Sequence, residues 1–214
     1  MSKIWFISDV HFGHKAILKY QPKRLEKMSI NPTDSDSDKH HTKYLIEQWN
    51  NTIAKNDVVY ICGDLSFYNR EATRRILEKL HGKKHLILGN HDSSSKGLEN
   101  YFESVSQIKS VVFKKHEYEF LDEDLYLELC HFPILTWNQR QKGVVMVHGH
   151  THGRIDDINE LSKELRVDVG YDGSLANMEF ISLEDLYIHC KKISGGLLFK
   201  KYIEKKMLDD GRRY

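Results

Sequence analysis

The chain of 214 residues, with 40% hydrophobic and 29% charged side chains, has the make-up of one globular domain large enough to bury a core. A formal net charge of +1 gives no global electrostatic reason to bind nucleic acid, and it does not forbid a local patch. The apolar stretch Ile4-Trp5-Phe6-Ile7 is too short for a signal-peptide core and no run approaches a membrane span, so no membrane association is expected.

In chain order, the first predicted element is a buried strand over Lys3–Ser8, and it runs into Ser8-Asp9-Val10-His11. Asn31–Lys39 is polar and acidic without periodicity and reads as a mobile loop, with Ser93–Gly97 a second such segment. Thr42–Ala54 puts Leu45, Ile46, Trp49 and Ile53 on one helical face. A second strand over Val58–Cys62 ends in Gly63-Asp64. A helix over Asn69–Leu80 then aligns Ala72, Ile76, Leu77 and Leu80, with Asn69 as its N-cap. The third strand, His85–Leu88, ends in Gly89-Asn90-His91-Asp92. The fourth, Tyr126–Cys130, ends in Cys130-His131-Phe132-Pro133, and the fifth, Gly143–Val147, ends in His148-Gly149-His150-Thr151-His152. Strands alternating with helices predict an α/β fold with a parallel component, and the strand-rich second half predicts a further, mixed sheet. A charged tail from Lys200 to Tyr214 completes one domain spanning the chain.

Each of these five strands therefore finishes on a side chain able to ligate a metal, which is where open α/β sheets build their sites. Any one of the motifs is weak alone; the ordered set is the signal. Two divalent ions about 3.5–4 Å apart clamp the attacking and leaving oxygens of a phosphate. Such a pair needs a bridging anion, and a carboxylate such as Asp64 can serve. Mixed imidazole and oxygen ligands suit manganese best, with iron, nickel or zinc as alternatives. The cysteines, Cys62, Cys130 and Cys190, show no metal-type spacing and read as reduced thiols of a cytoplasmic protein.

Asp-x-His, Gly-Asp, Gly-Asn-His-Asp, His and Gly-His-x-His, in that order from Ile4 to about Leu183, resemble the calcineurin-like metallophosphoesterases. The segments around Asp9 and Asp64 look like the compact bacterial and phage members. The resemblance implies a β-sandwich of two mixed sheets flanked by helices on both faces. It implies one metal on Asp9, His11, Asp64 and His152 and another on Asp64, Asn90, His131 and His150. His91 would be the acid that protonates the leaving oxygen, and a hydroxide between the metals the nucleophile. Gly63-Asp64 continues as Leu65-Ser66-Phe67-Tyr68, unlike the Asp-Arg-Gly of the protein phosphatase branch. The stretch beyond His152 is expected to finish the sandwich and is too short to add a large capping domain.

Other positions admit plainer readings. His148 reads as a strand end, Asp92 as an N-cap or a support for a ligand, and His14 as a residue that reaches the substrate phosphate, together with Asn90. His40, His41, His81, His85, His116 and His189 read as surface or core histidines. Trp137, Asn138 and Arg140 are placed by position alone beside the substrate. The expected partner is a phosphate ester, more readily a diester, with nucleotides and nucleic acid among the candidates, and no obligate protein partner is evident. A non-catalytic scaffold of the same fold is the competing reading; retention of every ligand position and of His91 favours the enzyme.

Overall fold

A computed structural model describes residues 2–31, 33–162 and 164–195; the predicted tail from Lys200 to Tyr214 lies outside them. The order is β1 (Ile4–Ile7), α1 (Ile17–Tyr20), α2 (Lys23–Met28), α3 (Ser37–Thr52), β2 (Val58–Ile61), α4 (Arg70–Leu77) and β3 (Lys83–Ile87). It continues with β4 (Ser104–Ser106), β5 (Ile108–Phe113), β6 (Leu125–Cys130), β7 (Val145–His148), α5 (Asp156–Ser162), β8 (Arg166–Asp168), β9 (Ile181–Ser182) and α6 (Leu183–Ile193). The strands form a five-stranded sheet in the order β4-β3-β2-β1-β9 and a four-stranded sheet in the order β5-β6-β7-β8. Both are mixed: β9 runs antiparallel to β1 in the first, and β5 antiparallel to β6 in the second.

β1 is apolar at every position because both its faces are covered. Ile4 and Phe6 point between the sheets, where they meet Leu127, Leu129, Val145, Val147 and Val167. Trp5 and Ile7 point to the other side and pack with Leu45, Trp49, Ile53, Ile76 and Leu77 of α3 and α4. On the far face of the second sheet, α5 covers β8, and Trp137 packs with Cys130, Val144 and Met146. The architecture is thus two mixed sheets face to face with helices outside, as expected. Among the described residues no helix is long and apolar enough to cross a membrane.

The predicted strands all form, with ends shifted by one or two residues. α3 begins at Ser37, so the last part of the expected loop 31–39 is helix. Before it, Asn31 Oδ1 accepts from the Thr33 amide at 3.0 Å and Asp34 Oδ1 from the Asp36 amide at 2.9 Å, turns that propensity alone underestimates. Asp92–Ser95, which overlaps the second segment read as loop, is a single 3-10 turn. Asn69 caps α4 as predicted, its Oδ1 accepting from the Ala72 amide at 3.0 Å.

The two sheets meet at Ser8. Its N–H donates to Val169 O at 3.0 Å and its C=O accepts from Tyr171 N–H at 2.9 Å, while the next amide, of Asp9, donates to Gly63 O at 3.0 Å. β1 therefore hands its C-terminal end from its own sheet to the extension of β8, and the strand ends of both sheets open on one edge.

Candidate metal centre

That edge gathers the candidate ligands. Asp9, Asp64, His11 and His131 are buried at 0%, 2%, 3% and 0% exposure. Among the described residues, two groups of His, Cys, Asp or Glu side chains bring their ligating atoms within 4.8 Å of one another: Asp9, His11 and His152, and Asp9, Asp64 and His131. Asp64 lies between the imidazoles, one oxygen 3.9 Å from His11 Nε2 and the other 3.6 Å from His131 Nε2. Asn90 reaches the second group through Oδ1, 3.1 Å from His131 Nε2. His150 stands at the rim, exposed, its ring 5.1 Å from that of His131 and its amide donating to Asp9 Oδ2 at 2.9 Å.

Five candidate ligands have left-handed backbones: Asp9, His11, Asp64, His150 and His152, with φ of 56°, 58°, 52°, 69° and 50°. Such φ values are uncommon for residues with a Cβ and persist only where the surroundings enforce them. The reversals turn each side chain off its strand axis towards the common centre. Glycines clear the space. At Gly149 an added Cβ would overlap Ser8 Oγ, and at Gly63, φ 96°, it would overlap the His131 ring.

The candidate ligands are supported from behind. Asp92 accepts from the amides of Asp64 (2.9 Å), Leu65 (2.8 Å) and Gly89 (2.8 Å), so it supports the backbone of a candidate ligand and does not cap a helix. Burial raises its carboxyl pKa against those three donors. His131 Nδ1 meets Cys62 O at 2.8 Å, His152 Nδ1 meets Asp172 Oδ2 at 2.7 Å, and His11 Nδ1 lies 3.1 Å from His14 Nδ1. Anchoring one ring nitrogen leaves the other to face the centre. For His152, burial lowers the pKa, but Asp172 and Asp9 outweigh it and the net shift is upward. Asp172 is also buried, which raises its pKa, yet His152 and Arg24 outweigh that and the carboxyl falls to about 2. Asp172 belongs to none of the sequence motifs; the only local hint is the Asp in Gly170-Tyr171-Asp172.

The donor set fits divalent cations. Asp9 Oδ1 and His11 Nε2 are fully buried and have no hydrogen-bond partner, a costly state for polar atoms unless an ion takes that place. Burial pushes the Asp9 carboxyl up, yet His11 and His152 outweigh it and hold the group below its ordinary range. Burial drives His11 down, which keeps a lone pair free to coordinate.

The remaining positions divide clearly. His91 is exposed on the rim, its amide bound to Asp64 Oδ1 at 2.9 Å and its ring 4.4 Å from Phe67. His14 stacks on Phe67 at 3.7 Å and its pKa is lowered to about 4, by burial and then by His11. His148 is fully buried behind the site, against Gly149 O at 2.9 Å and Asn159 at 3.3 Å, so it ends its strand as expected. Two residues placed beside the substrate by position are elsewhere. Trp137 is buried, donating to Val144 O at 2.8 Å, and Arg140 pairs with Glu164. The loop after His131 folds back on the second sheet, since an indole with a free carbonyl nearby is better buried than exposed.

Known proteins resemble this chain. Residues 2–185 match the model of the calcineurin-like phosphoesterases. The gene 66 protein of Mycobacterium phage D29 is 30% identical over 178 residues, which cover 72% of this chain and 81% of that protein. An uncharacterised protein of Methanocaldococcus jannaschii, MJ1445, is 30% identical over 175 residues, 79% of this chain and 82% of its own. Among solved structures, a protein of unknown function from Aquifex aeolicus, AQ665, superposes with a TM-score of 0.62 at 19% identity, covering 88% of this chain and 100% of that one, a likeness of fold. With its fold, its converging Asp and His side chains and a match across most of its length, the chain belongs to the calcineurin-like phosphoesterase family.

Proposed function

We propose that the chain hydrolyses phosphodiesters at a centre of two divalent ions, with His91 as the proton donor to the leaving oxygen. The observation that carries this is the pair of unpartnered buried atoms, Asp9 Oδ1 and His11 Nε2, at the convergence of two carboxylates and three imidazoles. Asp9, His11, Asp64 and His152 would hold one ion, and Asp64, Asn90, His131 and His150 the other. Manganese suits this mixture of nitrogen and oxygen donors, with iron, nickel and zinc as the other candidates. When bound, the ions neutralise phosphate charge and lower the pKa of water to make a nucleophile near pH 7.

The protein's own groups do the rest. The Asp64 carboxylate holds the His91 amide, and the exposed His91 ring lies 6.2 Å from the His11 ring and 4.4 Å from Phe67. Its ring nitrogen carries the proton that the departing oxygen needs, which is worth about 10²–10⁴-fold when that oxygen is basic. His14 and the Asn90 amide would touch the phosphate. Buried walls of Phe12, Leu65 and Ile61 behind the carboxylates keep bulk water from their inner side.

Preference for a diester is supported by space on both sides of the 92–99 segment. One groove of about 670 Å³ is walled by Asn90, Lys96, Val105, Ile108 and Phe132. Another of about 870 Å³ is walled by Phe67, Arg70, Ser94 and Lys96. A diester has two substituents to house, and Lys96 and Arg70 along the grooves suit nucleotide phosphates, beside Glu99, which lines both grooves. The three cysteines are buried free thiols, in keeping with a reducing, cytoplasmic setting. The test is kcat/KM for bis(4-nitrophenyl) phosphate against 4-nitrophenyl phosphate with Mn²⁺ supplied. The diester should be favoured at least about tenfold, and the reverse order would sink the diester reading. Absence of turnover on both would favour the scaffold.

A further inference from the structure

Arg24 on α2 is fully buried, an arrangement that is costly unless every donor is paired. A guanidinium has five N–H donors, and here each has an acceptor. Nε donates to Asp172 Oδ1 at 2.8 Å and Nη2 to Asp172 Oδ2 at 2.6 Å. Nη2 also donates to Asp9 O at 2.8 Å, and Nη1 to Val10 O at 2.9 Å and His41 Nε2 at 3.2 Å. The guanidinium lies over the Tyr171 ring at 4.9 Å. Its acceptors include the two carbonyls inside the Asp9–His11 turn and the carboxylate behind His152. One side chain thus ties together the backbone that aims Asp9 and His11 and the group that aims His152.

We propose that Arg24 and Asp172 are positioning residues that make the metal position of Asp9, His11 and His152 the tighter of the two, so that it fills first. This rests on the reading that the centre holds two divalent ions. The two positions are supported differently. His152 has a carboxylate on its Nδ1, at 2.7 Å, which holds the proton there and makes Nε2 more basic. His131 has the neutral carbonyl of Cys62 at 2.8 Å, which orients the ring with less gain in basicity. The turn that bears Asp9 and His11 is clamped by two guanidinium hydrogen bonds. Its left-handed φ values of 56° and 58° are therefore in place before an ion arrives, and less ordering is left for the ion to impose.

The experiment is a Mn²⁺ titration of the metal-free chain by calorimetry, with electron paramagnetic resonance counting bound ions, for wild type, Asp172→Asn and the double variant Arg24→Met/Asp172→Leu. The double variant removes both buried charges at similar volume, so no orphaned charge remains to unfold it. Wild type should bind two ions with separate affinities. Asp172→Asn should weaken the tighter class by about 10–100-fold and leave the weaker class within about twofold. The double variant, folded by circular dichroism, should show the same selective loss. Equal weakening of both classes, as general loosening of the fold would give, overturns the proposal, and so does unchanged binding. A wild type that takes up only one ion overturns the two-ion reading itself, and with it the order of filling.

Discussion

Asp64 is held at its backbone and at its side chain by different partners, so the two roles separate by mutation. Its amide donates to Asp92 and its carbonyl accepts from the His11 amide at 3.1 Å, while Oδ1 accepts from the His91 amide. Asp64→Asn keeps the backbone contacts and removes the charge between the two imidazoles. The variant should fold, lose both ions on dialysis as measured by elemental analysis, and fall to background activity; retention of both ions would rule out Asp64 as the shared ligand. His91 offers an independent test because its ring packs on Phe67, at the rim of the centre. His91→Gln should keep both ions and lose about 10²–10⁴-fold on an alkyl or nucleotide ester. A nitrophenyl ester, whose leaving group departs without protonation, should suffer far less, and an equal loss on both esters would remove His91 from the acid role. The identities of these residues can be read from the motifs because each closely follows its strand. What stands behind them is legible only where a motif holds it: Asp92, 28 residues from Asp64, reads as a support, but Asp172 lies 148 from Arg24 and belongs to no motif.

Among the elements, α4 shows how far local chemistry carries. Asn69 in extended backbone accepts from the third amide of the helix, and Ile76 and Leu77 are buried against the first sheet. Asn69→Ala should lower stability by about 1 kcal/mol, read as a fall in the urea midpoint. A null effect would mean that packing alone holds the helix end. α3 is harder to read, since its first turn, Ser37–Lys39, lacks apolar residues and resembles the loop before it. Tertiary contacts extend it: His41 and Thr42 are buried against α2 and the Asp9–Gly13 turn, with Thr42 Oγ1 accepting from the Gly13 amide at 3.1 Å.

Across the molecule, burial of polar groups predicts sensitivity to acid. His41 is fully buried, and its pKa is lowered from 6.5 to about 3, by burial first and then by Arg24. Between those values the unfolded chain takes up a proton that the folded chain does not, so stability falls as pH falls. Asp57 adds to this. Burial raises its carboxyl, but donation from Trp5 Nε1 at 3.0 Å and from the amides of Lys3 and Ala54 outweighs it, and the net pKa is depressed. That contribution is present above the unfolded pKa and is lost as pH drops through the folded one. His41 should therefore make the urea midpoint of the metal-free chain fall as pH drops below about 6.5, and Asp57 should add to the fall only near and below pH 4. His41→Gln, which can still accept from Arg24, should flatten the decline; an unchanged slope would show that His41 titrates normally.

Where the chemistry sits is legible in the chain before it folds. A buried strand needs a run of apolar residues, and a ligand at its end is among the first polar residues after that run. Asp9, Asp64, Asn90, His131 and the pair His150 and His152 are therefore visible without coordinates. Helix faces and the Asn69 cap are legible for the same reason, since their rules span only a few residues. Packing, by contrast, chose the partner that each imidazole takes on its second nitrogen. It also turned Trp137 and Arg140 away from the site and set the ligand-bearing turns in left-handed backbone. These outcomes depend on residues brought together across 141 positions, as at Asp9 and His150, or 148, as at Arg24 and Asp172. No local pattern encodes such a pairing, because it exists only once both sheets have packed and Ser8 has joined them.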